Sequence, residues 1–158
     1  MPFCEALPKR GTYTLIIFLS KEICLKVGKL GFCRFSKGYY AYTGSAMGAG
    51  ASSLSGRISR HSRKNKRNFW HIDFLLAHEN VTLTSVIATQ TSVKLECEVN
   101  RCIKEREEAE IPVPGFGASD CRRNCGSHLL HFNEKGIKSK IAGLYDEKMG
   151  FKPVIINF

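Results

Sequence analysis

The 158-residue chain carries 24 Lys and Arg against 14 Asp and Glu, a formal net charge of +10 with a pI of about 9.4, and is 43% hydrophobic. That size and apolar content fit one domain with a real core, and the charge excess favours a phosphate-rich partner, nucleic acid first, over a merely soluble basic protein. The longest wholly apolar run, Leu15-Ile16-Ile17-Phe18-Leu19, is five residues, which excludes a bilayer span of roughly 20, and Met1-Pro2-Phe3-Cys4-Glu5 lacks the basic and hydrophobic regions of a secretory leader, so an intracellular, cytoplasmic setting is expected.

Residues 13–19 are rich in β-branched and aromatic side chains and apolar on both faces, which predicts a central strand with Tyr13 and Leu15 on one side. Residues 23–27 and 32–35 alternate around the turn Gly28-Lys29-Leu30-Gly31, which predicts a hairpin that widens the sheet. Residues 39–43 resume strand chemistry beside the first strand, with Tyr40 and Tyr42 on one face. The small-residue run from Gly44 to Ser53 is a loop whose backbone could approach a phosphate, but no Gly-Lys-Ser/Thr follows and it is no P-loop.

A helix is predicted from Leu54 to about Lys66, capped by Ser52 or Ser53, with Arg57, His61 and Lys64 on one face and Arg60 adjacent. Residues 69–76 read as a short buried helix, Asn80 as a turn and residues 81–89 as a strand. The clearest helix spans 91–108, where Leu95, Val99, Cys102, Ile103 and Arg106 hold helical spacing until Pro112 and Pro114 intervene. A glycine-broken loop with cysteines follows, then a strand near 127–132 and two more short strands ending at Val154-Ile155-Ile156. Without an internal repeat or low-complexity linker, 1–158 is expected to form a single domain.

Cutting a phosphodiester needs a nucleophile, charge stabilisation at the phosphoryl oxygens and usually a metal ion. Tyrosine, arginine and glutamate can fill those roles, and the chain offers them in a notable order: Gly11-Thr12-Tyr13, Tyr42-Thr43-Gly44-Ser45, Arg57, His61 and then Glu96. Between Arg57 and Arg67 stand Arg60, Arg63, Lys64 and Lys66 with no acid before Asp73, which favours a phosphate-facing surface. Glu96 competes with Glu98 for the metal role. At about 100° per residue Glu96 lies about 20° from Ile103, on the apolar flank next to a cleft, whereas Glu98 lies about 20° from Glu105 on a solvated edge.

This order resembles the GIY-YIG nuclease superfamily, most of all a largely archaeal branch sometimes fused to a DNA-glycosylase repair domain. The resemblance extends to Trp70-His71-Ile72-Asp73 and Gly115-Phe116-Gly117-Ala118-Ser119-Asp120-Cys121. It implies an α/β (α+β) fold with a small mixed, mainly antiparallel sheet flanked by helices. It implies that Tyr13 and Tyr42 are the paired tyrosines, one helping to activate water, that Arg57 contacts phosphate, that His61 is the helix histidine, and that Glu96 holds one Mg²⁺ or Mn²⁺. The substrate implied is nucleic acid, DNA in a repair or processing context. The two tyrosines stand farther apart than is usual in the superfamily, so residues 20–38 and 46–51 must be looped out. The alternative is a non-catalytic nucleic-acid-binding module on the same fold, stabilised by zinc.

Seven cysteines, at 4, 24, 33, 97, 102, 121 and 125, are an odd and scattered set that suits reduced thiols. Cys121, Cys125, His128 and His131, beside Asp120, offer four zinc-competent ligands within 11 residues, although the spacing is not that of a standard finger. Two other readings stand beside zinc. The histidines could pack near a strand, or Cys121 or Cys125 could act as a nucleophile with His128, its thiolate favoured by Arg122 and Arg123.

Overall fold

Burial on both faces decides where the first strand sits. In the computed structural model, which describes residues 7–158, β1 (Gly11–Leu19) is the middle strand of a five-stranded sheet and all but Phe18 of its residues are buried. Met1-Pro2-Phe3-Cys4-Glu5 lies outside the described residues. The other strands are β4 (Gly38–Ala46), β5 (Val81–Gln90), β6 (Leu129–Phe132) and β7 (Val154–Asn157), in the order β6-β4-β1-β5-β7. Every pairing in it is antiparallel, so the sheet is simpler than the mixed one expected while the α+β class stands.

Side chains alternate across β1, and the core divides accordingly. Tyr13, Leu15, Ile17 and Leu19 join Leu54 and Ile58 of α1 (Leu54–Ser62) and Ile72 and Leu75 of α2 (His71–Leu76). On the opposite face Ile16 and Ile87 meet Val99 and Ile103 of α3 (Glu96–Arg106) and Ile141, Leu144 and Tyr145 of α4 (Ile137–Glu147). Thr14 sits on that second face and satisfies its hydroxyl with Tyr145 Oη at 2.7 Å and Thr43 Oγ1 at 3.0 Å.

Several expectations change. The hairpin of β2 (Ile23–Lys26) and β3 (Phe32–Phe35) forms, but as a separate two-stranded sheet that covers the first core through Ile23, Cys33 and Phe35 and does not widen the main one. Helix α1 stops at Ser62, with Ser53 as its cap accepting from the Gly56 amide at 3.1 Å. Continuing to Lys66 would stack cations at i, i+4 along a helix that contains no acid of its own. Helix α3 begins at Glu96 because the residues before it are tied to β1 and the residue ahead of it: the Thr91 amide donates to Arg10 O and the Leu95 amide to Thr12 Oγ1. Where a strand was expected there is α4, whose Ile137, Ile141, Leu144 and Tyr145 recur at helical spacing. Gly136, Gly143 and Gly150 hide that period by suggesting breaks. Among the described residues no helix is long and apolar enough to cross a membrane.

Candidate functional site

The register of β1 on β4 sets Tyr13 opposite Gly44 and Leu15 opposite Tyr42, which brings the two tyrosines to one end of the sheet. A cavity of about 560 Å³ opens there, closed by Arg57 of α1, the corner Phe69–Trp70–His71, Glu96 at the start of α3, and Gly117, Ser119, Asp120 and His128. Gly44 is required at its position, since a Cβ there would lie 2.8 Å from Tyr13 Oη. Gly117 has φ +67° and a Cβ would meet the Tyr42 ring at 2.8 Å, so both space and backbone select glycine. The residues between the two tyrosine-bearing strands form the β2–β3 hairpin, outside the five-stranded sheet.

Tyr13 and His61 are buried together, with Tyr13 Oη 2.8 Å from His61 Nε2. Burial pushes the Tyr13 phenol up to about 12 despite the opposing pull of the Arg57 cation. Burial likewise raises Tyr42 and lowers His61 to about 3, so the imidazole is neutral at physiological pH. Its Nδ1 is buried without a hydrogen-bond partner. Arg57 stacks 4.8 Å from the centre of the Trp70 ring and donates to Ser45 O at 3.2 Å, while the Ser45 hydroxyl donates to Glu96 Oε2. Arginine, serine and glutamate thus form one connected edge of the cavity, with the carboxylate in the first turn of α3 where the helix dipole favours it.

The basic stretch after Arg57 divides into two kinds of residue. Arg60 donates to Asp73 Oδ2 at 2.8 Å and to Arg67 O at 2.8 Å while lying over Trp70, so the helix does find an acid, from α2. Asp73 is fully buried and also accepts from the Phe69 and Trp70 amides. Burial opposes its ionisation, but the Trp70 amide, Arg60 and the Phe69 amide outweigh it and hold the carboxyl below its ordinary range. Lys64 Nζ is bonded to the carbonyls of Leu76, His78 and Val81, and Lys66 Nζ to that of Arg63. Arg63 and Arg67 are exposed.

Beside the cavity a second constellation forms from Cys97, Cys121, Cys125 and His128, whose ligand atoms all lie within 4.8 Å of one another. Cys97 Sγ is 3.8 Å from Cys121 Sγ and 3.7 Å from His128 Nε2. This corrects the expected set, because His131 is elsewhere. It lies within β6, which His128 precedes, paired with Tyr40 of β4, where its ring lies 4.7 Å from that of Tyr40 and Nε2 donates to Lys37 O at 3.1 Å. Cys97 replaces it from α3, 24 residues away from Cys121. Sequence spacing offered little sign of that, beyond Cys97 being the neighbour of Glu96. Desolvation by burial, and hydrogen bonds to the neighbouring thiols of Cys125 and Cys121, push the Cys97 thiol upward. The cluster can hold a metal ion.

Residues 12–149 match a family model described as a domain of unknown function, DUF123. Neither the curated proteins nor the solved structures yield a match. The matched span runs from the start of β1 through α4 and takes in both tyrosines, Arg57, His61, Glu96 and all four members of the Cys and His cluster. With that much of its length covered, the chain belongs to the DUF123 family.

Proposed function

We propose that this protein is a metal-dependent endonuclease of the GIY-YIG type that hydrolyses nucleic-acid phosphodiester bonds, with DNA as its substrate in a repair or processing setting. The observation that carries this reading is convergence: Tyr13, Tyr42, Arg57 and Glu96, spread over 84 residues of sequence, line one cavity, with His61 fixing the first of them from beneath. The oxygen donors suit Mg²⁺ or Mn²⁺, because Glu96 and Asp120 both line the cavity and such ions take one or two carboxylates with water and phosphate completing the shell. When bound, the ion would neutralise charge on the phosphoryl and leaving oxygens.

The chain's own residues supply the rest. Arg57 is anchored by Ser45 O and the Trp70 face, so its guanidinium meets a phosphoryl oxygen without first being ordered. A phenol pushed up to about 12 stays protonated at neutral pH, so Tyr13 orients the attacking water and donates a hydrogen bond, with its own geometry held by His61. Water attacks phosphorus as the bond to the 3′ oxygen breaks, the proton given up by the water is balanced by one taken up by the departing oxygen, and the products are a 5′ phosphate and a 3′ hydroxyl. The test is cleavage of labelled single-stranded, duplex, flapped and four-way-junction DNA, and of the matching RNAs, with Mg²⁺ or Mn²⁺. Wild type should cut, and Tyr13→Phe should lose about 10²-fold in rate; no cutting with salt-sensitive binding retained would leave a binding module in place of the enzyme.

Phosphate affinity should follow the geometry of the basic stretch. Arg63→Ala and Arg67→Ala are expected each to weaken binding and to make the salt slope shallower by about one unit. Lys64→Ala should leave that slope unchanged and lower the melting temperature, because its ammonium serves three protein carbonyls. A salt slope altered by Lys64→Ala alone would reverse this assignment.

A further inference from the structure

We infer that Cys97, Cys121, Cys125 and His128 bind one structural Zn²⁺, which clips the loop after Phe116 to the first turn of α3 and so sets one wall of the cavity. Tetrahedral zinc with Zn–S near 2.3 Å and Zn–N near 2.0–2.1 Å has edges of about 3.8 Å between sulfurs and about 3.6 Å between sulfur and nitrogen. The distances here are 3.8 Å and 3.7 Å. Three sulfurs and an imidazole are soft and borderline donors that exclude Mg²⁺ and Mn²⁺, and four protein ligands leave no open position, which is the composition of a structural zinc site. A disulfide does not account for the cluster, since bonded sulfurs lie about 2.05 Å apart and any pair would strand the third thiol.

The loop needs such a clip. Of residues 117–128 only Cys125, Ser127 and His128 are buried, so the segment has almost no apolar side chain to seat it. Its existing ties to α3 are polar: Asn100 Nδ2 donates to Ser127 O at 2.8 Å, and Arg101 donates to Arg123 O at 3.2 Å. Three thiolates on one Zn²⁺ leave the site with a net negative charge, and Arg101, Arg122 and Arg123 stand close by in sequence to offset it. The ligands are also neighbours of the cavity: Glu96 precedes Cys97, Asp120 precedes Cys121, and His128 lines it directly. Zinc occupancy is independent of the cleavage reading; only its consequence for Glu96 rests on that reading.

Elemental analysis of protein purified without chelator should find about one zinc per chain, falling below about a tenth of an equivalent in Cys97→Ser and remaining whole in His131→Ala. Should Cys97→Ser fail to fold, Co²⁺ exchanged into wild type keeps the test: thiolate ligation gives intense visible and charge-transfer absorption. Stripping the metal should speed hydrogen exchange at the amides of Gly117 and His128 while β1 stays protected. Wild type without zinc, a mass two hydrogens short from a Cys97–Cys121 disulfide, or zinc kept by Cys97→Ser and lost by His131→Ala would each overturn the proposal. Full zinc in a protein that does not cut would count against the nuclease alone, and cutting without zinc against the clip alone.

Discussion

Glu96→Gln is expected to lower the cleavage rate by at least about 10²-fold while leaving nucleic-acid affinity within about twofold. The substitution keeps the shape of the side chain and its place beside the Ser45 hydroxyl, but replaces an anionic oxygen with an amide that holds a divalent cation poorly. It removes none of the cations that meet phosphate, so binding and chemistry separate. Trp70 is the only tryptophan in the chain and lines the cavity under Arg57, so its fluorescence reports substrate binding in both proteins without a label. Glu98→Gln is the matched control: Glu98 pairs with Arg123 on the other flank of α3 and does not line the cavity. Equal loss of rate in the two variants, or loss of binding in Glu96→Gln, would remove Glu96 from the ligand role.

How much of this was legible in the sequence depended on whether the signal was local. The two-sided burial of β1 was readable from five consecutive apolar residues, and the placement of Glu96, not Glu98, toward the cavity from a helical wheel, because both rest on periodicity within one element. The convergence of Tyr13 and Tyr42 was readable only as order, since a strand register fixes it and an intervening hairpin conceals it. The cluster ligand Cys97 was not readable at all. A four-ligand site drawn from one short stretch looks self-sufficient in sequence, yet His131 lies in β6 against Tyr40 while His128 precedes that strand, and the missing ligand comes from a helix that only the fold brings near. Lys64 and Arg60 carried no local sign that their charges would be engaged within the protein, because the carbonyls and the carboxylate that receive them belong to α2, the turn after it and the start of β5.

Acid should unfold this protein earlier than its carboxylates alone would, through His61. The imidazole is buried beneath the cavity, between Tyr13, Tyr42 and Trp70, and burial lowers its folded value to about 3 against roughly 6.5 for an unfolded chain. A lowered value means the folded state refuses a proton that the unfolded state accepts. The contribution is therefore fully present above pH ~6.5 and is lost steadily as pH falls toward about 3. At about 1.4 kcal/mol per pH unit, roughly 3 kcal/mol should disappear between pH 7 and pH 4. Asp73 works in the same direction only below that range, since its own value is held under the ordinary carboxylate value and its contribution is lost as pH falls through it. Chemical denaturation from pH 7 to pH 4 should show the slope in wild type, and His61→Gln, which cannot take the proton, should flatten it even though it costs stability at pH 7. A slope unchanged by His61→Gln would mean that folding does not depress the proton affinity of the imidazole. The same burial sets the expectation for catalysis: a rate profile between pH 5 and 8 without a histidine-type inflection, because the group that holds Tyr13 does not titrate there.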